Sequence, residues 1–435
     1  MTDIFKAYDI RGVYGENIDK DVAYKLGRSF VLFLDKKHPK IVIGRDNRSS
    51  SPELFNFLKK GIIDEGGLVY DIGLSTTPMF YFADCFLKGE GGIMITASHN
   101  PKEYNGFKIV GKNASPISED SGLIQIRHIF ENLGNSPKKK GKVIKKNVLK
   151  EYVKHISKDF DLKDFDFKIG IDTANSVSSI LIDEVFKKTN LKMYHINKEL
   201  DSNFPNHDPD PLQKKNLRQL ADLIKEKKLD LGIAFDGDGD RIVFLDDNAK
   251  VVSSDIVLAL ISDVLGKKVL YDLRCSNIIS EIAGEKAYKS RVGHSFIKKI
   301  MKEEKIYMGG EYSGHFYLND EYCFEAPFFI LFKLLEQMKL SSKNLSEIVK
   351  PYQKYFHSGE VNFKVDSKDK IIKKIEDKYK DGEKTKIDGV RIDYDDYWFL
   401  VRPSNTEPVL RLIIEAKTNK LLKEKEKELK ELINE

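Results

Sequence analysis

Three carboxylates are the sharpest chemical signal in the chain. In LGIAFDGDGDRIVFLDD an apolar run from Leu231 to Phe235 delivers Asp236, Asp238 and Asp240, with only Gly237 and Gly239 between them. Glycine spacers let the carboxylates crowd into one tight loop, and like charges so close need a cation. A calcium loop of the EF-hand kind wants Gly at its sixth position and Glu at its twelfth. Counted from Asp236, those places hold Arg241 and Asp247. Hard oxygen donors in so small a cluster favour Mg²⁺, whose octahedral shell leaves room for water or a phosphate oxygen.

Three further stretches carry groups suited to phosphate and sugar. RPSNTEP, Arg402 to Pro408, joins a guanidinium to Ser404, Asn405 and Thr406 and to turn amides, the parts of a phosphate cradle. The same residues also make an ordinary hydrogen-bonded turn. In GGEYSGHFYL, Glu311 and Ser313 stand two apart in what reads as an extended loop, able to present on one face to sugar hydroxyls. His315 follows, an acid or base if it lies near the reacting atoms. A plain polar loop fits this stretch as well.

GGIMITASHNPKEYNG sets Ser98 at the mouth of an apolar strand beside His99. A hydrolase nucleophile, a phosphate-carrying serine and a capped turn share this look. A hydrolase serine needs a base at its oxygen and an acid orienting that base. Neighbours in extended chain point to opposite sides, which suits His99 poorly to that task, and there is no G-x-S-x-G elbow. A carboxylate metal site together with a phosphate cradle fits phosphoryl transfer, which makes Ser98 a phosphate carrier. Arg11 in AYDIRG and Lys108 in NGFKIV gain meaning only in that company.

The elements that must position these groups repeat. KIVIGRDNRSSSPELFNFLKKGI, KIGIDTANSVSSILIDEVFKK and KVLYDLRCSNIISEIAGEKAY each read as a β-branched strand, an Asp in a polar turn and an amphipathic helix. Strands alternating with helices predict α/β domains with mixed, mostly parallel sheets. The copies begin near Lys40, Lys168 and Lys268, a spacing of repeated domains, not of a solenoid. NSPKKKGKVIKKN reads as a solvated linker. From about Phe356 the pattern changes to strands and a polar terminal helix, a smaller α+β domain.

Composition excludes several classes. A chain of 435 residues exceeds one ordinary core. Its 73 basic and 68 acidic residues leave +5, too balanced to argue for nucleic acid. Cys85, Cys275 and Cys323 show neither disulfide nor zinc spacing. The longest apolar-rich stretch, APFFILFKLLEQM, is short of the ~20 residues that span a bilayer, and no secretory leader is evident. The expectation is a cytoplasmic protein with no membrane partner.

Taken in order, TASHNP, DGDGDR, GEYSGH and RPSNTEP resemble the four signatures of the α-D-phosphohexomutase superfamily, across nearly the whole chain. The resemblance implies three related α/β domains and a fourth of different fold around a central cleft, each donating one motif: residues 1–147, 148–249, 250–355 and 356–435. It implies that Ser98 carries the phosphate and, with Asp236, Asp238 and Asp240, holds Mg²⁺. His99 and Asn100 would shape the serine loop and Arg241 would steady the phosphoryl group. His315, Arg11 and Lys108 would share proton transfer and charge stabilisation. Arg402, Ser404, Asn405 and Thr406 would clamp the non-reacting phosphate. Glu311 and Ser313 would read the sugar, and Tyr8, Arg291, His294 and Arg411 would complete the substrate contacts.

The implied reaction interconverts hexose 1- and 6-phosphates through a bound hexose 1,6-bisphosphate, which also serves as activator, in a monomer or homodimer. Glu311 and Ser313, read as contacts to carbons 3 and 4, do not separate mannose from glucose. Asn405 resembles the hexose mutases, where phosphoglucosamine mutases commonly have Gly. Phosphomannomutase activity with glucose as a second sugar is therefore expected; a phosphoglucosamine mutase and a non-catalytic phosphosugar-binding relative are the alternatives. Two departures stand out: Ser176, where relatives often have Gly, is expected to affect only its own turn, and Arg291 near His294 replaces a Lys of some relatives.

Overall fold

Each of the three β-branched stretches forms the centre of a parallel trio of strands. The computed structural model describes residues 4–134, 140–187, 189–320, 322–365, 367–403 and 409–434. Lys40–Arg45 runs parallel to Leu68–Leu74 on one side and to Gly91–Ile95 on the other. Lys168–Asp172 lies likewise between Lys192–Ile196 and Leu231–Phe235, and Val269–Asp272 between Ala287–Ser290 and Met308–Gly310. The sequence motifs therefore occupy equivalent places, because Ser98, Asp236 and Glu311 each follow the strand on the same side of the repeat's central strand. Strands buried on both faces need apolar residues throughout, and Gly91–Ile95 and Leu231–Phe235 are buried at every position.

The chain divides into two units, Met1–Val252 with Ser313–Ile348 and Ser253–Tyr312 with Val349–Glu435. In the first unit, antiparallel strands extend both motif strands: Tyr104–Gly111 pairs with Gly91–Ile95, and Ile242–Leu245 with Leu231–Phe235. Ile10–Val13 then pairs with Tyr104–Gly111, setting Arg11 opposite Gly106. Phe316–Asn319 and Cys323–Glu325 form an antiparallel pair. The apolar stretch with APFFILFKLLEQM becomes a largely buried helix, Pro327–Ser341. In the second unit, Tyr397–Pro403 and Val409–Ala416 pair antiparallel within the last sheet, with helices Lys368–Lys378 and Asn419–Asn434 contributing to its core.

The basic stretch expected to be a linker is partly a strand. Lys142–Lys145 adds an edge parallel to Leu68–Leu74. All four of its residues are exposed, so it is held by backbone pairing, and the lysines keep that edge solvated. Residues 135–139 of the stretch lie outside the described residues. Cys85 and Cys275 are buried free thiols. Among the described residues, no helix is long and apolar enough to cross a membrane.

Candidate active site

The first unit gathers the serine, the aspartates and most of the basic residues singled out in the sequence. Ser98 leaves its strand in the left-handed region, φ 51°, and is 3% exposed. That conformation overturns the expectation that His99 points away. It brings His99 Nδ1 to 3.2 Å from Ser98 Oγ, where an extended chain would have separated them. The hydroxyl also donates to Asp236 Oδ2 at 2.8 Å. Burial, with Arg241 and Arg11 nearby, pushes the His99 ring well below the ordinary histidine range, so it is neutral.

Glycine is what lets the aspartate loop reach the serine. A Cβ on Gly237 would stand 2.3 Å from the Ser98 carbonyl oxygen, and Gly239 has φ +70°. The three carboxylates are fully buried, with ligand oxygens within 4.8 Å of one another. Thr77, in the first turn of a helix that Thr76 caps through Met79 N, donates to Asp238 Oδ2 at 2.5 Å. Lys108 bridges Asp238 and Asp240 at 2.8 and 2.5 Å. Burial and the two neighbouring carboxylates drive Asp236 well above the usual carboxylate range. At Asp240 burial acts in the same direction, but Lys108 and His315 outweigh it and hold that group well below. Asp238 Oδ1 remains buried without a hydrogen-bond partner among the described residues. An orphaned oxygen in a set of hard donors fits a divalent cation.

His315 is held at both nitrogens, Nδ1 3.0 Å from Ser313 Oγ and Nε2 3.2 Å from Asp240 Oδ1. Arg241, bridged to His315 through the backbone, lies 4.0 Å from Asp236 Oδ2. Arg11 donates to Asn100 Oδ1 at 2.7 Å and pairs with Asp9 at 2.6 Å, and half-buried Tyr8 lies within its electrostatic reach. Glu311 and Ser313 are not in extended chain: Tyr312 and Ser313 form a turn, where the chain passes from one unit to the other.

In the second unit, buried Glu311 accepts from Gly293 N at 3.0 Å, immediately before the helix His294–Glu303. Arg291 stacks over Phe296, 3.9 Å from the ring centre. Arg402, 3% exposed, reaches Glu360 at 3.4 Å and Asp388 at 3.5 Å, while Arg411 pairs with Glu360 at 3.0 Å. Burial, reinforced by Arg274, lowers Arg402 below its ordinary value. Ser404, Asn405 and Thr406 lie outside the described residues.

Sequence reasoning missed two arginines. Arg48, 1% exposed, donates to the carbonyls of Ser98, Asn100, Pro101 and Tyr104 at 2.8, 2.6, 2.6 and 3.1 Å, so it holds the serine loop from beneath. Arg274 grips Asp272 with Nε and Nη2 at 3.0 and 2.8 Å and stands 3.6 Å from Glu311. The signal was present in the repeats: both arginines follow the strand-end Asp by two residues, in GRDNR and YDLRC. Ser176 also does more than close its own turn, since its hydroxyl donates to the Asp236 carbonyl at 3.2 Å.

Comparison with known proteins covers the chain end to end. Domain I of the phosphoglucomutase/phosphomannomutase family matches residues 2–136, domain II 150–249, domain III 253–355 and the C-terminal domain 360–432. A phosphomannomutase of Methanocaldococcus jannaschii is 40% identical over 99% of this chain and 97% of its own length. A phosphomannomutase/phosphoglucomutase of Pseudomonas syringae is 36% identical over 95% of this chain and 91% of its own. The crystal structure of a phosphoglucomutase/phosphomannomutase family protein from Burkholderia thailandensis superposes with a TM-score of 0.91 at 30% identity, covering 99% of this chain and 97% of that one.

Proposed function

Because the chain belongs to the phosphoglucomutase/phosphomannomutase family and is a phosphohexomutase, we propose that Ser98 carries the phosphate it transfers. The observation that carries this reading is the buried Ser98 hydroxyl, 2.8 Å from Asp236 in a loop of three crowded carboxylates. In the forward step the bond between phosphorus and Ser98 Oγ breaks, a bond to the free hydroxyl oxygen of a hexose 1- or 6-phosphate forms, and that hydroxyl loses its proton. The resulting 1,6-bisphosphate then returns its other phosphate to Ser98 Oγ. Added hexose 1,6-bisphosphate would act as activator by rephosphorylating the serine.

Asp236, Asp238 and Asp240, with the phosphate on Ser98, would hold Mg²⁺. When bound, the ion neutralises charge on the moving phosphoryl group. Lys108, Arg11 and Arg241 supply further positive charge, and His99 and Asn100 shape the loop. His315, fixed between Ser313 and Asp240, is the group we assign to proton transfer. Arg402 and Arg411, with Ser404, Asn405 and Thr406, clamp the non-reacting phosphate, and Tyr8, Arg291, His294, Glu311 and Ser313 contact the sugar phosphate. The substrate is mannose phosphate, with glucose phosphate as the second sugar. The reading includes four modules bounded at 147, 249 and 355, a cytoplasmic setting, and a monomer or homodimer.

Intact-protein mass spectrometry tests it. One added phosphate is expected on the active enzyme and none on Ser98→Ala, which should lose activity. A fully active, unphosphorylated Ser98→Ala protein would refute the carrier role. Comparing kcat/KM for mannose, glucose and glucosamine 1-phosphates tests the sugar, and a preference for glucosamine would overturn it.

A further inference from the structure

A basic cavity, formed by none of the residues assigned to the mutase reaction, opens in the first unit where three parallel strands end. Lys40–Arg45, Leu68–Leu74 and Lys142–Lys145 contribute their carboxyl ends, and one face of the helix Ser51–Asp64 closes the side. The carboxyl ends of parallel strands are where open α/β sheets bind small ligands. The cavity measures about 390 Å³ and is lined by Arg45, Lys59, Lys145 and Lys146 against a single carboxylate, Asp71.

That carboxylate is already matched. Asp71 Oδ2 pairs with Lys59 at 3.3 Å, and Oδ1 accepts from Gly73 N at 3.1 Å. Three cations are left over. Arg45 is half-buried, and its one side-chain hydrogen bond among the described residues runs from Nη1 to the Asp46 carbonyl at 3.1 Å. Burial lowers its pKa from the ordinary arginine value, against the pull of Asp46 and Asp71. Lys146 lies over the Tyr70 ring at 5.4 Å, and Lys145 has no ion pair among the described residues. Nothing fills the space beside Gly73, so a ligand can approach its backbone.

We propose that this cavity is a second phosphate site, taking either inorganic phosphate or the phosphate group of a small phosphorylated metabolite. Guanidinium and ammonium groups left without carboxylates match phosphate oxygens. The volume is that of a small-molecule pocket.

The test is calorimetric titration of the full chain with inorganic phosphate and, separately, glucose 6-phosphate. Wild type should show two classes of site. Arg402→Ala should remove one class, and the double variant Arg45→Gln/Lys145→Gln should weaken the other by about tenfold, the scale of one charged hydrogen bond. The double variant should keep its mutase kcat/KM, because neither residue serves Ser98. Lys145→Glu, at an exposed position, provides the same test if the double variant folds poorly. Tighter binding of glucose 6-phosphate than of phosphate at the surviving site of Arg402→Ala would identify a phosphosugar ligand, and equal or weaker binding free phosphate. A double variant that titrates like wild type overturns the proposal. So does a second class erased equally by matched ionic strength of chloride, which would make it general charge screening.

Discussion

In the first repeat Arg48 sits beside Asp46 at 3.2 Å, but its two terminal nitrogens donate to four carbonyls of the serine loop. In the third repeat Arg274, in the same place after the strand-end Asp272, turns back onto that aspartate with two hydrogen bonds, and its Nη2 stands 3.6 Å from Glu311. Both turns start alike, with Asp Oδ1 accepting the backbone N–H two residues on. The second repeat keeps that bond, from Ala174 N to Asp172, but has no arginine, and His207 and Asn197 fill the aspartate instead. One local device thus serves three purposes: a brace under the serine loop, a cation beside Glu311, and a sealed polar junction. The backbone turn repeats while the side chain two residues later sets the job.

The sharpest way to break this comparison is Arg48→Ala. It removes the donors to four carbonyls and leaves Asp46 buried without its cation, so about 3–5 kcal/mol of stability should go, read from a denaturant midpoint. A loss near zero would mean that the loop holds itself. Next in size is Ala174→Arg, which tests whether the second repeat would accept the arginine. Ala174 is 2% exposed and both Asp172 oxygens are taken, so overpacking should cost about 1–3 kcal/mol. A neutral or stabilising substitution would show the turns to be interchangeable. Arg274→Ala should also act on catalysis. Loss of one charged contact beside Glu311 should lower kcat/KM about tenfold, mainly through KM, on top of the stability lost by leaving buried Asp272 without its cation. Arg274→Lys should restore part of it; no rescue, with a matching drop in the melting midpoint, would mark Arg274 as merely structural.

The strands and the motifs were legible because their grammar is local. Glycines between aspartates, apolar runs before them and an Asp closing each repeated strand all declare themselves within about ten residues. Ser98 shows where that reading stops: its left-handed conformation, which brings His99 back to the hydroxyl, is fixed by the loop around it, where Thr96 Oγ1 accepts from Ser98 N at 2.9 Å and Arg48 holds the carbonyls. Arg48 reaches that loop from 50 residues away in sequence. Ser176 likewise reached Asp236 across 60 residues. Lys142–Lys145 failed for another reason, since its lysines are the residues of a solvated segment and only a partner strand makes it a strand.

The smallest expected effect belongs to the second repeat, whose aspartate is shared with His207 and Asn197 and not with arginine. Burial opposes the charged form of His207, but its hydrogen bond to Asp172 Oδ2 at 3.0 Å and the charges of Asp172 and Asp208 outweigh it, raising the ring above its ordinary 6.5. His195, on the strand Lys192–Ile196, goes the other way. Burial, helped by Lys198 and only partly offset by Asp183 and Asp172, lowers it to about 4. The signs follow from linkage. His207 contributes stability that is full below the unfolded value and is lost as pH rises through its raised folded value. At His195 the unfolded chain takes up a proton first, so stability falls as pH drops from 6.5 towards 4. Measured against pH, His207→Gln should flatten the alkaline limb of the stability profile and His195→Gln the acid limb, each leaving the other intact. If His207→Gln leaves the alkaline limb unchanged, the Asp172 junction is held by Asn197 and the turn amide alone.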